Sequence, residues 1–246
     1  MMLSESRKQR SFSFVGNERT RGATPCSTST PPAAISTVLD IAAGHITFIA
    51  ADRADTTVEV RPADASKSRD VKAAEETAVT YDGGGLRIHT PEPKNQFFGP
   101  SGSVEVTVRL PAGSRVEAKA AAGDLRGVGR LGEVSFSCAS GTVKLDEAAS
   151  ADLTLQAGDV TVGRLTGPAR ISTQQGDLRI AEAVRGTVTL RTAHGDIEVG
   201  AARGTSASLD AGTTYGRISN SLTNSGAADL TIHATTAYGD ITARSL

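Results

Sequence analysis

Five aspartates, Asp124, Asp159, Asp177, Asp196 and Asp240, each follow a glycine and precede an apolar residue. Carboxylates recurring at a fixed period line up when a chain coils on itself, and a row of carboxylates is a calcium-binding arrangement. Calcium-loaded β-rolls, however, repeat about every nine residues with several glycines per turn. Here one Gly-Asp step occurs in roughly eighteen residues, and Thr142 and Arg217 interrupt the row. The plainer expectation is that each aspartate accepts backbone N–H bonds within its own turn.

Other reactive side chains are scattered. His45, His89, His194 and His233 show no metal-ligand spacing, and His194, beside Gly195 and Asp196, reads as a turn residue in solvent. Cys26 and Cys138 give neither a disulfide framework nor a metal knuckle, so Cys138 is expected to be a small apolar filler in a strand. The chain has no nucleophile elbow, phosphate-binding loop or dinucleotide-binding glycine set. A sugar-cleaving β-helix needs a carboxylate pair at a cleft. The acids here are spread along turns, and only Tyr215 and Tyr238 share a position as aromatic platforms. No catalytic residue, cofactor or metal site is therefore expected.

The elements that position these residues are repeats. A pattern of glycine, a polar residue, an apolar residue, any residue and a second apolar residue recurs as GDLRG (123–127), GTVKL (141–145), GDVTV (158–162), GDLRI (176–180), GDIEV (195–199), GRISN (216–220) and GDITA (239–243). Successive glycines stand 18, 17, 18, 19, 21 and 23 residues apart. Between most copies lies a second alternating run: Asp152–Leu155, Ala169–Thr173, Thr187–Leu190, Ser206–Leu209 and Asp229–Ile232. A short β period of about 20 residues predicts a parallel β-solenoid, right-handed by the usual chirality, with glycine corners at positive φ. Val143, Leu145, Leu153, Leu155, Val160, Val162, Ile171, Leu178, Ile180, Val188, Leu190, Ile197, Val199, Leu209, Ile218, Leu230, Ile232 and Ile241 then point inward.

Two outward columns follow from the alternation. One runs Arg126, Lys144, Thr161, Arg179, Glu198, Ser219 and Thr242, with Arg179 and Glu198 expected to pair. The other runs Thr154, Arg170, Thr189, Ser208 and Thr231. Its threonines suggest an ice-binding face, but Arg170 interrupts it and the chain has no T-x-T array, so a solvated β surface is expected.

Three segments are expected: residues 1–32 as a disordered Ser/Thr/Pro-rich tail, 33–118 as a less regular β region continuing into or capping the solenoid, and 119–246 as the solenoid repeats. In the middle segment, Ile35–Ile41, His45–Ala50, Thr56–Val60, Thr77–Tyr81, Leu86–His89 and Val104–Leu110 read as strands. Ala63–Glu76 reads as one or two helical turns, and residues 95–102, with Phe97 and Phe98, as a loop covering the core.

Composition agrees with thin aliphatic layers. Of the 246 residues, 38% are hydrophobic but only 4% aromatic, with no Trp. The 26 basic and 27 acidic residues leave a net charge of −1, which excludes nucleic acid and a polybasic membrane surface as partners. No segment approaches the roughly 18 apolar residues of a membrane helix, and no signal sequence is recognisable, so the chain reads as cytoplasmic.

The stretches TTVEVRPAD (56–64), SVEVTVRLPAGSRV (103–116), TTYGRISNSL (213–222) and TTAYGDITARS (235–245), with the glycine repeats, resemble a bacterial β-strand-repeat family of unknown function, adhesin-like and of actinobacterial type. The resemblance implies a β-solenoid and offers no catalytic residues. The functional expectation is an adhesin-like interaction scaffold for a protein or envelope partner. The alternatives are end-to-end self-assembly through an uncapped last coil, Gly239–Leu246, and a carbohydrate-active β-helix enzyme.

Overall fold

The computed structural model of the chain describes residues 10–15, 34–91 and 102–246. The predicted loop with Phe97 and Phe98 and the Cys26 segment lie outside the described residues. Chain order runs β1 (Arg10–Val15), β2 (Ser36–Ala51), β3 (Asp55–Pro62), α1 (Ser68–Glu76), β4 (Ala78–Asp82), β5 (Gly85–His89), β6 (Val104–Pro111), β7 (Arg115–Ser140), β8 (Val143–Ala157) and β9 (Val160–Leu165). It continues with β10 (Ala169–Ser172), β11 (Leu178–Ala183), β12 (Gly186–Arg191), β13 (Ile197–Ala201), β14 (Ala207–Tyr215), β15 (Ile218–Ser221), β16 (Leu230–Tyr238) and β17 (Ile241–Ser245). All these strands belong to one continuous sheet that does not close into a barrel. Strand β1 lies inside the segment 1–32, so that segment is not structureless throughout.

The repeats stack in parallel and in register. Leu125 pairs with Val143, Val143 with Val160, Val160 with Leu178 and Leu178 with Ile197, so each glycine-led strand lies directly on the next. Alternation puts every second residue inside, and of the eighteen aliphatic residues assigned inward, all but Leu209 and Ile218 are buried.

Those two exceptions expose a difference in stacking order. Strands β16 and β17 do not end the pile. They lie between β12–β13 on one side and β14–β15 on the other. Strands β14 and β15 therefore form the outer edge, which corrects the expectation that Gly239–Leu246 is the uncapped end. The physical reason is inward composition. Strands β16 and β17 place Leu230, Ile232, Ala234, Ile241 and Ala243 inside, and all are buried. At the matching positions β14 and β15 carry Ala207, Leu209, Ala211, Ile218 and Asn220. The more apolar rung takes the place covered on both sides, and the rung containing Asn220 takes the edge.

The other end is built differently. Strand β2 sits between β7 and a rung made of β5 and β6, all parallel. Antiparallel strands then close this end: β4 pairs with β5, β3 with β6, and β1 with β3. Helix α1 buries Ala73 and Ala74 and packs on β3 and β6. Among the described residues no helix is long and apolar enough to cross a membrane.

Glycine at the corners has a second cause beyond backbone conformation. Gly44, Gly123, Gly141, Gly158, Gly176, Gly195, Gly239 and Gly216 form one column in space, and a Cβ on any of the last seven would collide with the carbonyl oxygen of a neighbouring glycine in the column. At Gly195, φ is also +145°, a conformation that L side chains rarely adopt. Gly212, on the edge strand, has no atom within 4 Å of its would-be Cβ. Gly195→Ala should lower unfolding free energy by about 3 kcal/mol, whereas Gly212→Ala should leave it within about 0.5 kcal/mol, as measured by urea denaturation.

Candidate functional site

The aspartate row exists, but its bonds run between rungs rather than within each turn. The Asp177 N–H donates to Asp159 Oδ1 at 2.9 Å, the Asp196 N–H to Asp177 Oδ1 at 2.8 Å, and the Asp240 N–H to Asp196 Oδ1 at 2.7 Å. The Arg217 N–H completes the series on Asp240 Oδ1 at 2.8 Å. At the start of the row, the Thr142 N–H and hydroxyl both donate to Asp124 Oδ1, at 2.8 and 2.7 Å. The glycine column explains this, because corners stacked so closely bring each carboxylate nearer to the next turn's N–H than to its own. The row is thus a structural ladder, with one oxygen of each of these carboxylates committed to backbone. Among the described residues, no three His, Cys, Asp or Glu side chains converge as a metal site.

The Thr142 N–H, and after it the Thr142 hydroxyl, hold the Asp124 carboxyl below the usual carboxylate range, with His45 at 3.1 Å adding to this. A depressed native pKa gives stability that is complete above the unfolded value of about 4 and is lost as pH falls through the native one.

His194 is exposed, but it does not stand alone in solvent. Its ring stacks on Tyr238, and Tyr238 stacks on Tyr215, each with centroids 4.9 Å apart and an interplanar angle of 8°. The position shared by the two tyrosines thus becomes a ladder whose ring faces cover each other. Among the described residues no ring stacks on the outer face of Tyr215, at the β14–β15 edge. Cys138 is buried as expected, and burial pushes its thiol pKa up.

The first outward column forms as read, except that Thr242 precedes Ser219 because the last two rungs are exchanged. Arg179 pairs with Glu198 at 3.2 Å, and Arg244 joins the same carboxylate group at 3.1 Å. The second column is corrected by register. Arg170 lies beside Asp152 and Thr189, then His233 and Asp210 follow across the rungs. A parallel row runs Thr154, Ser172, Arg191, Thr235 and Gly212, and a third Thr187, Thr231 and Ser208.

The first two of these rows line an open groove of about 550 Å³. Arg170 and Arg191 project into it from adjacent rungs, flanked by the hydroxyl-bearing Ser172, Thr189 and Thr235. Neither guanidinium has a hydrogen bond or ion pair among the described residues. His233 Nδ1 and Asp210 Oδ2 share a hydrogen bond of 3.2 Å at the edge side. Two guanidiniums on adjacent rungs, each without an ion pair or side-chain hydrogen bond among the described residues, fit carboxylate or phosphate oxygens, which arginine binds bidentately. Sequence reading placed Arg170 on the surface as an interruption. It missed Arg191, because pairing the two requires the offset between rungs.

A single sheet of stacked parallel repeat strands defines an all-β repeat protein. The chain belongs to the Toastrack DUF4097 family, a domain of unknown function, whose model matches residues 37–245. No curated protein matches it. Among solved structures it is similar to a candidate adhesin from Bacteroides fragilis, at 12% identity and TM-score 0.46, covering 97% of this chain and 98% of that one. It is also similar to a candidate lipid-binding protein from Parabacteroides distasonis, at 13% identity and TM-score 0.45, covering 95% and 96%. A candidate cell adhesion protein from Clostridium sporogenes gives 12% identity and TM-score 0.41, covering 97% and 100%. At these scores the likenesses are distant.

Asp124→Asn should cost about 1 kcal/mol near neutral pH, a modest figure because the carboxyl is nearly half exposed. It should also flatten the loss of stability on acidification, as read from urea unfolding at neutral and acidic pH.

Proposed function

We propose that this chain is a right-handed parallel β-solenoid with rungs of about eighteen residues, working as a non-catalytic, adhesin-like interaction scaffold. Its partner-binding surface is the Arg170–Arg191 groove, and the partner is acidic. Residues 33–118 serve as the closing region and 119–246 as the repeats that carry the face. The parallel register supports the coil, and the strong chirality preference of parallel crossovers supports its hand. The observation that carries the binding reading is a pair of unpaired arginines lining a groove in a chain whose net charge is only −1. One oxygen of each ladder aspartate is taken by a backbone amide of the next turn, which gives the row a structural part.

Binding should be electrostatic and weaken as salt rises. Titration with poly-L-glutamate and polygalacturonate, with neutral dextran as control, should show binding of both polyanions and none of dextran. The double substitution Arg170→Glu/Arg191→Glu should weaken polyanion binding by about tenfold or more. Equal affinity of the double variant and the natural chain would remove the groove from the account.

A further inference from the structure

Readily oxidised side chains are few on the described surface, and two of them lie face to face. The chain has no tryptophan, and its two methionines, Met1 and Met2, fall outside the described residues. Cys138, the cysteine within the described residues, is buried with its thiol pKa pushed up, which keeps the reactive thiolate scarce. Tyr81 is half-buried and stacks on Phe14. Tyr215 and Tyr238, by contrast, are 63% and 51% exposed. They pair in register on adjacent rungs, and their rings stack with centroids 4.9 Å apart and 8° between the planes. His194 covers the other face of Tyr238 at the same spacing, so among the described residues Tyr215 is the phenol that Tyr238 meets.

These rings also stand where the pile has least support. Strand β14 pairs with β16 and β15 with β17, and among the described residues no further strand pairs with either on the outer side. The segment around Leu222 and Thr223 folds back there, with the Ala207 N–H donating to the Thr223 carbonyl. Between Tyr215 and Tyr238 the chain runs through β15 and residues 222–229 before it re-enters the pile as β16.

We propose that Tyr215 and Tyr238 form a site of oxidative modification and couple to an intramolecular dityrosine when a one-electron oxidant reaches them, such as a haem peroxidase turning over hydrogen peroxide. Each phenol gives up one electron and its hydroxyl proton, leaving a radical whose spin is shared by the oxygen and the Cε ring carbons. The two radicals join through a Cε–Cε bond. The hydrogen on each bonded carbon then passes to the oxygen of its own ring, which restores two phenols. The two electrons and two protons released reduce one peroxide to two water molecules. Stacking at 4.9 Å holds the second ring beside the first when it is oxidised, a proximity that the unfolded chain lacks. Bonding requires the rings to swing from face-to-face to edge-to-edge. Tyr215 has room for that movement, since no described ring stacks on its outer face. The new bond joins β14 to β16 across residues 215–238 and, like a disulfide, removes freedom from the unfolded chain. It fastens the outer rung to the enclosed one. The site is independent of the Arg170–Arg191 groove and of what that groove binds.

The full chain at low concentration, treated with a haem peroxidase and limiting peroxide, should gain dityrosine fluorescence while keeping the size of one chain in denaturing electrophoresis. Trypsin cuts after Arg203, Arg217 and Arg244, so the product should appear as peptide 204–217 joined to 218–244 with the loss of two hydrogen atoms. With a photogenerated one-electron oxidant, which works in urea, the folded chain should give about tenfold or more product than the unfolded one. Tyr215→Phe and Tyr238→Phe should each abolish the product while keeping a ring in the stack and the urea midpoint of the untreated chain. Tyr81→Phe should leave the product intact. The coupled chain should unfold at a higher urea concentration than the untreated one. Absence of coupling, coupling only between separate chains, a product that survives Tyr215→Phe, or equal yields from folded and unfolded chain overturns the site. A cross-link that leaves the urea midpoint unchanged overturns its fastening role.

Discussion

Close approach of backbone at one corner governs the rest of this molecule. Eight glycines from Gly44 to Gly216 form a column with no room for a Cβ between neighbouring rungs, and that lets the flanking strands pair in register. Register in turn decides which side chains share a row. It puts the aliphatic residues into one continuous interior, aligns Asp159, Asp177, Asp196 and Asp240 as acceptors for the next turn, and brings Arg170 and Arg191 to adjacent rungs. Slippage by a single residue would turn the interior outward. The corner therefore specifies the surface as much as the core.

Both ends of the pile depart from chain order in the same way. At one end the first rung in sequence, β2, is enclosed by β5–β6 on one side and β7 on the other. At the far end the last rung, β16–β17, is enclosed by β12–β13 and β14–β15. In each case the enclosed strands are rich in large aliphatic residues and the outermost rung is the less apolar or the better covered. Leu209 and Ile218 keep part of their surface in water because beyond them, among the described residues, no further strand pairs with β14 or β15 and only the segment around Leu222 and Thr223 folds back, which forgoes some of the roughly 1.5–3 kcal/mol that full burial of such a side chain brings.

Much of this was legible in the sequence. Glycine spacing gave the offset between paired strands from β7 to β13, period-two alternation assigned eighteen aliphatics inward of which sixteen are buried, and the Arg179–Glu198 pair followed from one repeat offset. The exchange of the last two rungs was not read, although two signals were present. The spacing lengthens to 21 and then 23 residues, and GRISN places Asn220 where the other repeats mostly carry an apolar residue. Gly44 was missed as a member of the column because its neighbour, Gly123, lies 79 residues further along, beyond the whole capping segment. The direction of the aspartate bonds could not be read from sequence, since the choice between own turn and next turn depends on distances that only the stacked corners set.

Enclosure of the C-terminal rung also has a temporal meaning. On a ribosome, residues 207–221 emerge before the strands that will support them, and until the final residues follow, the nearest available edge is β12–β13. Resting there, Leu209 would occupy the position that Ile232 takes in the finished molecule. Such a contact, if formed, would have to open before β16 could take its place between β12 and β14. A chain halted short of residue 230 would therefore leave the β12–β13 edge without the strands that cover it in the complete stack, so the order in which strands emerge differs from the order in which they lie.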